Sequence, residues 1–73
     1  MSQNENVIAE MLSSVAYESV LLYFPEGSSC FYALCDEEIG AMRMAQAYEV
    51  LGTGYSKDFG KFYARFERNW FYL

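Results

Sequence analysis

Histidine is missing from this 73-residue chain, and with it go the commonest general base near neutral pH and the commonest metal ligand. No Ser-His-acid or Cys-His arrangement can be assembled. There is no GxGxxG, and no glycine-rich loop that ends in Lys-Ser or Lys-Thr. Cysteine occurs only at Cys30 and Cys35, too sparsely for a disulfide scaffold. On an extended strand the two would stand ~16 Å apart and face opposite sides, so they cannot pair and make a poor start for zinc. They read as small buried thiols. No apolar run reaches the ~18 residues of a membrane span. Met1-Ser2-Gln3-Asn4-Glu5 has neither the basic nor the apolar region of a secretory signal. The expectation is a cytoplasmic protein that is not an enzyme and uses no cofactor or metal.

Basic residues are scarce in one region. Up to Gly54 there are eight acids (Glu5, Glu10, Glu18, Glu26, Asp36, Glu37, Glu38 and Glu49) against the single base Arg43. From Tyr55 onward, Lys57, Lys61, Arg65 and Arg68 outnumber Asp58 and Glu67, and the whole chain carries −5. What the chain has in abundance is apolar surface: 53% hydrophobic residues and 19% aromatics. That is enough to build a core in a domain this small, because each ring removes roughly 150–250 Å² from water. Disorder is thereby excluded, and residues 1–73 form one domain.

Periodicity predicts a helix over residues 4–16, with Val7, Ile8, Met11, Leu12 and Val15 on one face and Asn4 as its N-cap. Tyr17 to Phe24 reads as a strand, Pro25-Glu26-Gly27-Ser28 as a turn and Ser29 to Cys35 as the returning strand. Cys30, Tyr32 and Leu34 share one face of that strand, and Phe31, Ala33 and Cys35 the other. A second helix is predicted over Asp36 to Leu51, capped by Asp36 and closed by Gly52, with Ala41, Met44, Tyr48 and Leu51 as its stripe. A third is predicted over Ser56 to Trp70, capped by Ser56. Phe59, Phe62, Tyr63, Phe66, Trp70 and Leu73 form one arc, and the four bases lie opposite. A strand over the last five residues is the alternative, since Trp70-Phe71-Tyr72 has high β preference. The expected class is α+β, in the order α-β-β-α-α, with helices packed on one antiparallel hairpin.

Two features invite a functional reading. The basic and aromatic tail suggests nucleic-acid binding, but on one helix the rings face the core while the bases face solvent, and rings so placed cannot stack on bases. The net negative charge opposes approach to DNA or RNA as well, so no direct nucleic-acid binding is expected. The bases can also dock onto the protein's own acids or onto a second copy. The acidic region has two readings: solubility, or mimicry of nucleic acid toward a basic groove. For mimicry the candidate partner-binding residues are Glu37, Glu38 and Glu49 on the second helix, with Glu10 and Glu26 as outlying contributors. Asp36 is set aside as a cap.

The run Ser2-Gln3-Asn4-Glu5-Asn6-Val7-Ile8-Ala9-Glu10 and the aromatic end Trp70-Phe71-Tyr72-Leu73 give the chain a resemblance to the very small phage-encoded anti-CRISPR proteins, among them inhibitors of the type I-C system. The resemblance implies a phage protein that acts in a bacterial host by binding a protein subunit of a DNA-surveillance complex and blocking target DNA. A monomer without membrane contact is expected. The alternatives are a generic interaction module or homodimer that pairs its aromatic end, and a weak single-strand binder using Lys57, Lys61, Arg65 and Arg68.

Overall fold

The computed structural model describes residues 2–70, and the side chains of residues 5–70. Six elements follow one another: α1 (Ser2–Ala16), β1 (Leu21–Tyr23), β2 (Cys30–Cys35), α2 (Glu38–Ala47), β3 (Gly52–Ser56) and β4 (Lys61–Glu67). The strands form a single antiparallel sheet in the order β1-β2-β4-β3. The class is α+β as expected, but the order is α-β-β-α-β-β.

The predicted third helix, Ser56 to Trp70, is therefore corrected: β3, a turn and β4 occupy most of it. Its sequence carries two periods at once. The aromatic arc satisfies a helix, yet Lys61-Phe62-Tyr63-Ala64-Arg65-Phe66-Glu67 also alternates with period two. Aromatic side chains lose χ1 freedom in a helix and fit a pleated surface better. Gly60 adopts φ +64° and turns the chain. Ser56 caps this turn rather than a helix, accepting at Oγ from the Phe59 N–H at 3.3 Å. The deciding constraint lies elsewhere, in β2. A two-stranded hairpin is marginal in water, and β4 supplies the third strand by pairing Cys30 with Glu67 through Cys35 with Phe62. Of the alternative strand at the end of the chain, Phe71 to Leu73 lie outside the described residues.

Register places Leu22, Phe31, Ala33, Cys35, Phe62, Ala64 and Phe66 on one face of the sheet. Both helices cover that face. α1 contributes Ile8, Leu12 and Ala16, and α2 contributes Ala41 and Met44. Phe31 and Phe66, from facing strands, are fully buried and stack at 5.2 Å with 6° between their planes. Phe62 is only half-buried and meets Tyr55 at 4.9 Å. Val7, expected inside, is 61% exposed, because the buried stripe of α1 follows i, i+4 through Ala16. The helix also begins ahead of Asn4, which therefore does not cap it.

Tyr17 ends α1 instead of starting a strand. It takes φ +60°, and the Glu18 N–H donates to the Ser13 carbonyl at 3.3 Å, a Schellman closure with tyrosine where glycine is usual. Arg43 holds this end from α2, donating to the Ala16 carbonyl and lying 4.8 Å over the Tyr17 ring. β1 is accordingly only Leu21–Tyr23. The Pro25–Ser28 turn forms as expected, with Gly27 at φ +76°.

α2 is shorter than predicted at both ends. Glu37, not Asp36, is its N-cap residue, and no side chain bonds there. Tyr48 is extended and closes the helix with its N–H on the Met44 carbonyl. Leu51 is consequently exposed and Gly52 opens β3. Cys30 and Cys35 are free thiols, buried on opposite faces as expected.

Two stability measurements check this packing. Phe66→Ala should cost ~3–5 kcal/mol, most of the stability of a domain this size, and a melting temperature within a few degrees of wild type would contradict the stacked core. The Cys35 thiol is pushed from 9.0 to about 11, first by burial and then by the Glu18 carboxylate. Between these values the unfolded thiol has lost its proton while the folded one keeps it, so stability falls as pH rises from about 9 to about 11. Denaturant midpoints at both ends of that window should show the fall in wild type and a smaller one in Cys35→Ala.

Candidate functional site

The acids predicted to act together are divided by the fold. Glu37 and Glu38 stand exposed at the start of α2. Glu49 is exposed in the loop beyond Ala47, off the helix on which it was expected. Because α2 rises ~1.5 Å per residue, the two groups sit about 15 Å apart. Glu26 lies in the β1–β2 turn, at the opposite end of β2 from Asp36. Glu10 is exposed on α1 and lines a shallow groove with Glu18. Three of the five, Glu10, Glu37 and Glu38, thus belong to one end, and Glu26 and Glu49 to the other.

Glu18, which the sequence did not single out, organises the first end. Its carboxylate accepts from the Asp36 N–H at 2.7 Å and the Glu37 N–H at 3.1 Å. These bonds fix the segment that presents Asp36, Glu37 and Glu38. Gly40 makes the approach possible, since a Cβ there would stand 2.6 Å from Glu18 Oε2. Asp36, displaced from its expected capping role, ion-pairs with Lys61 at 2.5 Å, and this contact holds the Lys61 amine above its usual pKa. Four acids therefore meet one base at this corner. Among the described residues, no three His, Cys, Asp or Glu side chains gather where they could hold a metal.

The second surface is the face of the sheet that the helices leave uncovered. Register places Tyr23 of β1, Tyr32 and Leu34 of β2, Lys61, Tyr63 and Arg65 of β4, and Gly52 and Gly54 of β3 on it. The premise that rings and bases lie on opposite faces is thereby corrected: on β4 they alternate with the core residues and share the outer face. The turn over residues 57–60 folds back across this face, bringing Phe59 within 4.9 Å of Tyr23 on the far edge strand. Beneath it lies a groove of about 480 Å³ lined by Tyr23, Pro25, Tyr32, Leu34, Ser56, Lys57, Asp58, Phe59 and Tyr63. Tyr32 and Tyr63 meet edge to face at 5.0 Å. Burial raises the Tyr32 phenol above its usual range, with the nearby Cys30 adding to the effect. The signal for this surface was present in the sequence as the period-two spacing of Lys61, Tyr63 and Arg65.

Two of the four tail bases are engaged within the protein. Lys61 is held by Asp36, so a base does dock onto the protein's own acids. Arg68 donates to the Pro25 and Ser28 carbonyls and lies 5.4 Å over Phe24.

Gly54 lets Tyr63 lie across β3, because a Cβ there would stand 2.8 Å from the ring carbon Cζ. Gly54→Ala should displace the ring and cost ~1 kcal/mol or more. The check is the pattern of ring-proton contacts of Tyr63 alongside the melting temperature. The chain matches no protein-family model, no curated protein and no solved structure.

Proposed function

We propose that this chain is a non-catalytic inhibitor that binds the basic, DNA-contacting surface of a bacterial defence complex and keeps target DNA out. The observation that carries the reading is the corner at the start of α2. Glu18 fixes the backbone of Asp36 and Glu37, while Glu37 and Glu38 remain exposed with Lys61 the one base among them. Carboxylates held in place lose little freedom when a partner's lysines and arginines meet them, and opposed potentials orient the encounter. The resemblance to small type I-C anti-CRISPR inhibitors supports the same reading and names the kind of complex. Glu10 joins this surface through Glu18, whereas Glu26 and Glu49 fall outside it.

A second reading rests on a different patch. β3 is an edge strand, and Ile39, Met42, Leu51 and Tyr55 are exposed around it. Edge pairing of two copies would cover these residues and yield a homodimer insensitive to salt.

The test uses Glu37→Gln with Glu38→Gln, and Glu49→Gln as its control. Each exposed pair contributes ~0.2–1 kcal/mol, so the double change should weaken capture of a CRISPR effector complex about 2- to 30-fold at low salt. It should also flatten the salt dependence, while the control changes neither. Unchanged binding by the folded double variant rejects the acidic corner, and a dimer mass at high salt selects the second reading.

A further inference from the structure

We infer that the groove under the 57–60 turn is a cation–π site that receives an arginine side chain from the basic partner. The inference rests on the proposed reading for its partner and on independent geometry for its site.

Tyr23, Tyr32, Tyr63 and Phe59 surround the groove, and Leu34 lines it as well. Ring separations of 4.9, 5.0 and 6.1 Å hold this cluster together. Such a cluster offers several negative ring faces to a cation within ~6 Å. The protein already uses this contact twice, with Arg43 over Tyr17 and Arg68 over Phe24. Among the described residues, none of the four groove rings carries a cation of its own.

Charge decides between the possible occupants. The lining holds one base, Lys57, and one acid, Asp58, so the groove itself is neutral. A phosphate chain would find a single free lysine there and a protein of net charge −5 behind it. A guanidinium would find four rings, a carboxylate at the rim, and the attraction of that same net charge. The groove also adjoins the acidic corner. Lys61, which holds Asp36, is two residues from Phe59 and two from Tyr63. A partner seated on Glu37 and Glu38 can therefore reach it. Arginine fits better than lysine because its planar guanidinium stacks on ring faces.

The probe is a hexa-arginine peptide, with hexa-lysine and a single-stranded oligothymidylate as comparisons, titrated while ring-proton shifts are followed by NMR. Hexa-arginine should shift the Tyr23, Tyr32 and Tyr63 ring signals and bind more tightly than hexa-lysine. Phe59→Ala and Tyr23→Leu should each weaken it about tenfold without changing its salt dependence. Both positions are 40% exposed or more, so both variants can be checked for an unchanged melting curve first. Ring-dependent binding of the oligothymidylate in place of hexa-arginine would overturn the inference and assign the groove to nucleic acid. Hexa-arginine binding that is indifferent to both ring variants would overturn it as well. Effector capture unaffected by Phe59→Ala and Tyr23→Leu removes the arginine site but leaves the acidic corner standing. Peptide binding in the groove without effector capture does the reverse.

Discussion

The antiparallel pairing of β2 with β4 is the constraint on which the molecule rests. Each belongs to a hairpin that is marginal alone. Joined, they form the centre of a sheet whose inner face stacks Phe31 on Phe66 at 5.2 Å. Around that pair, Leu12, Met44 and Ala64 close without measurable exposure. α2 lies between the two hairpins in the chain, so it has to return across the sheet, which sets its length and the face it covers. The outer face then follows from the same register, because every inward residue on β4 fixes an outward neighbour.

Much of the first half was legible in the sequence. α1, the Pro25–Ser28 turn, the two faces of β2 and the existence of α2 each rest on a local signal that no long-range contact contradicts. The second half was not. Phe59, Phe62, Tyr63, Phe66 and Trp70 fit a helical arc as well as a strand fits Lys61 to Glu67, and the choice depends on an open edge of β2 some thirty residues earlier. Periodicity within a window cannot register that edge. The shortened α2 has a related cause, since Tyr48 leaves the helix to meet Trp70 at 5.3 Å.

The candidate site was legible in kind and not in place. Acidity concentrated in the first 54 residues is visible from counting. Which acids stand together is decided by Glu18, whose carboxylate reaches backbone amides 18 and 19 residues away. Asp36 looked like a cap because an acid preceding a helix usually is one, but Lys61 arrives from β4 and takes it. The tyrosine face could not emerge while its residues were assigned to a helix.

The division of the acids between two ends of the molecule sets the distance over which they can be felt. The protein is 27 Å across its longest axis, and in physiological salt the Debye length is about 8 Å. Glu26 and Glu49 are therefore electrically independent of Glu37 and Glu38, and the −5 of the whole chain never acts as a single charge. A neighbour in the cell meets two separate fields, each only as strong as the few carboxylates beneath it. Orientation on approach is then set by which end is nearer, and charges added at the turn end would not compensate for charges lost at the helix end.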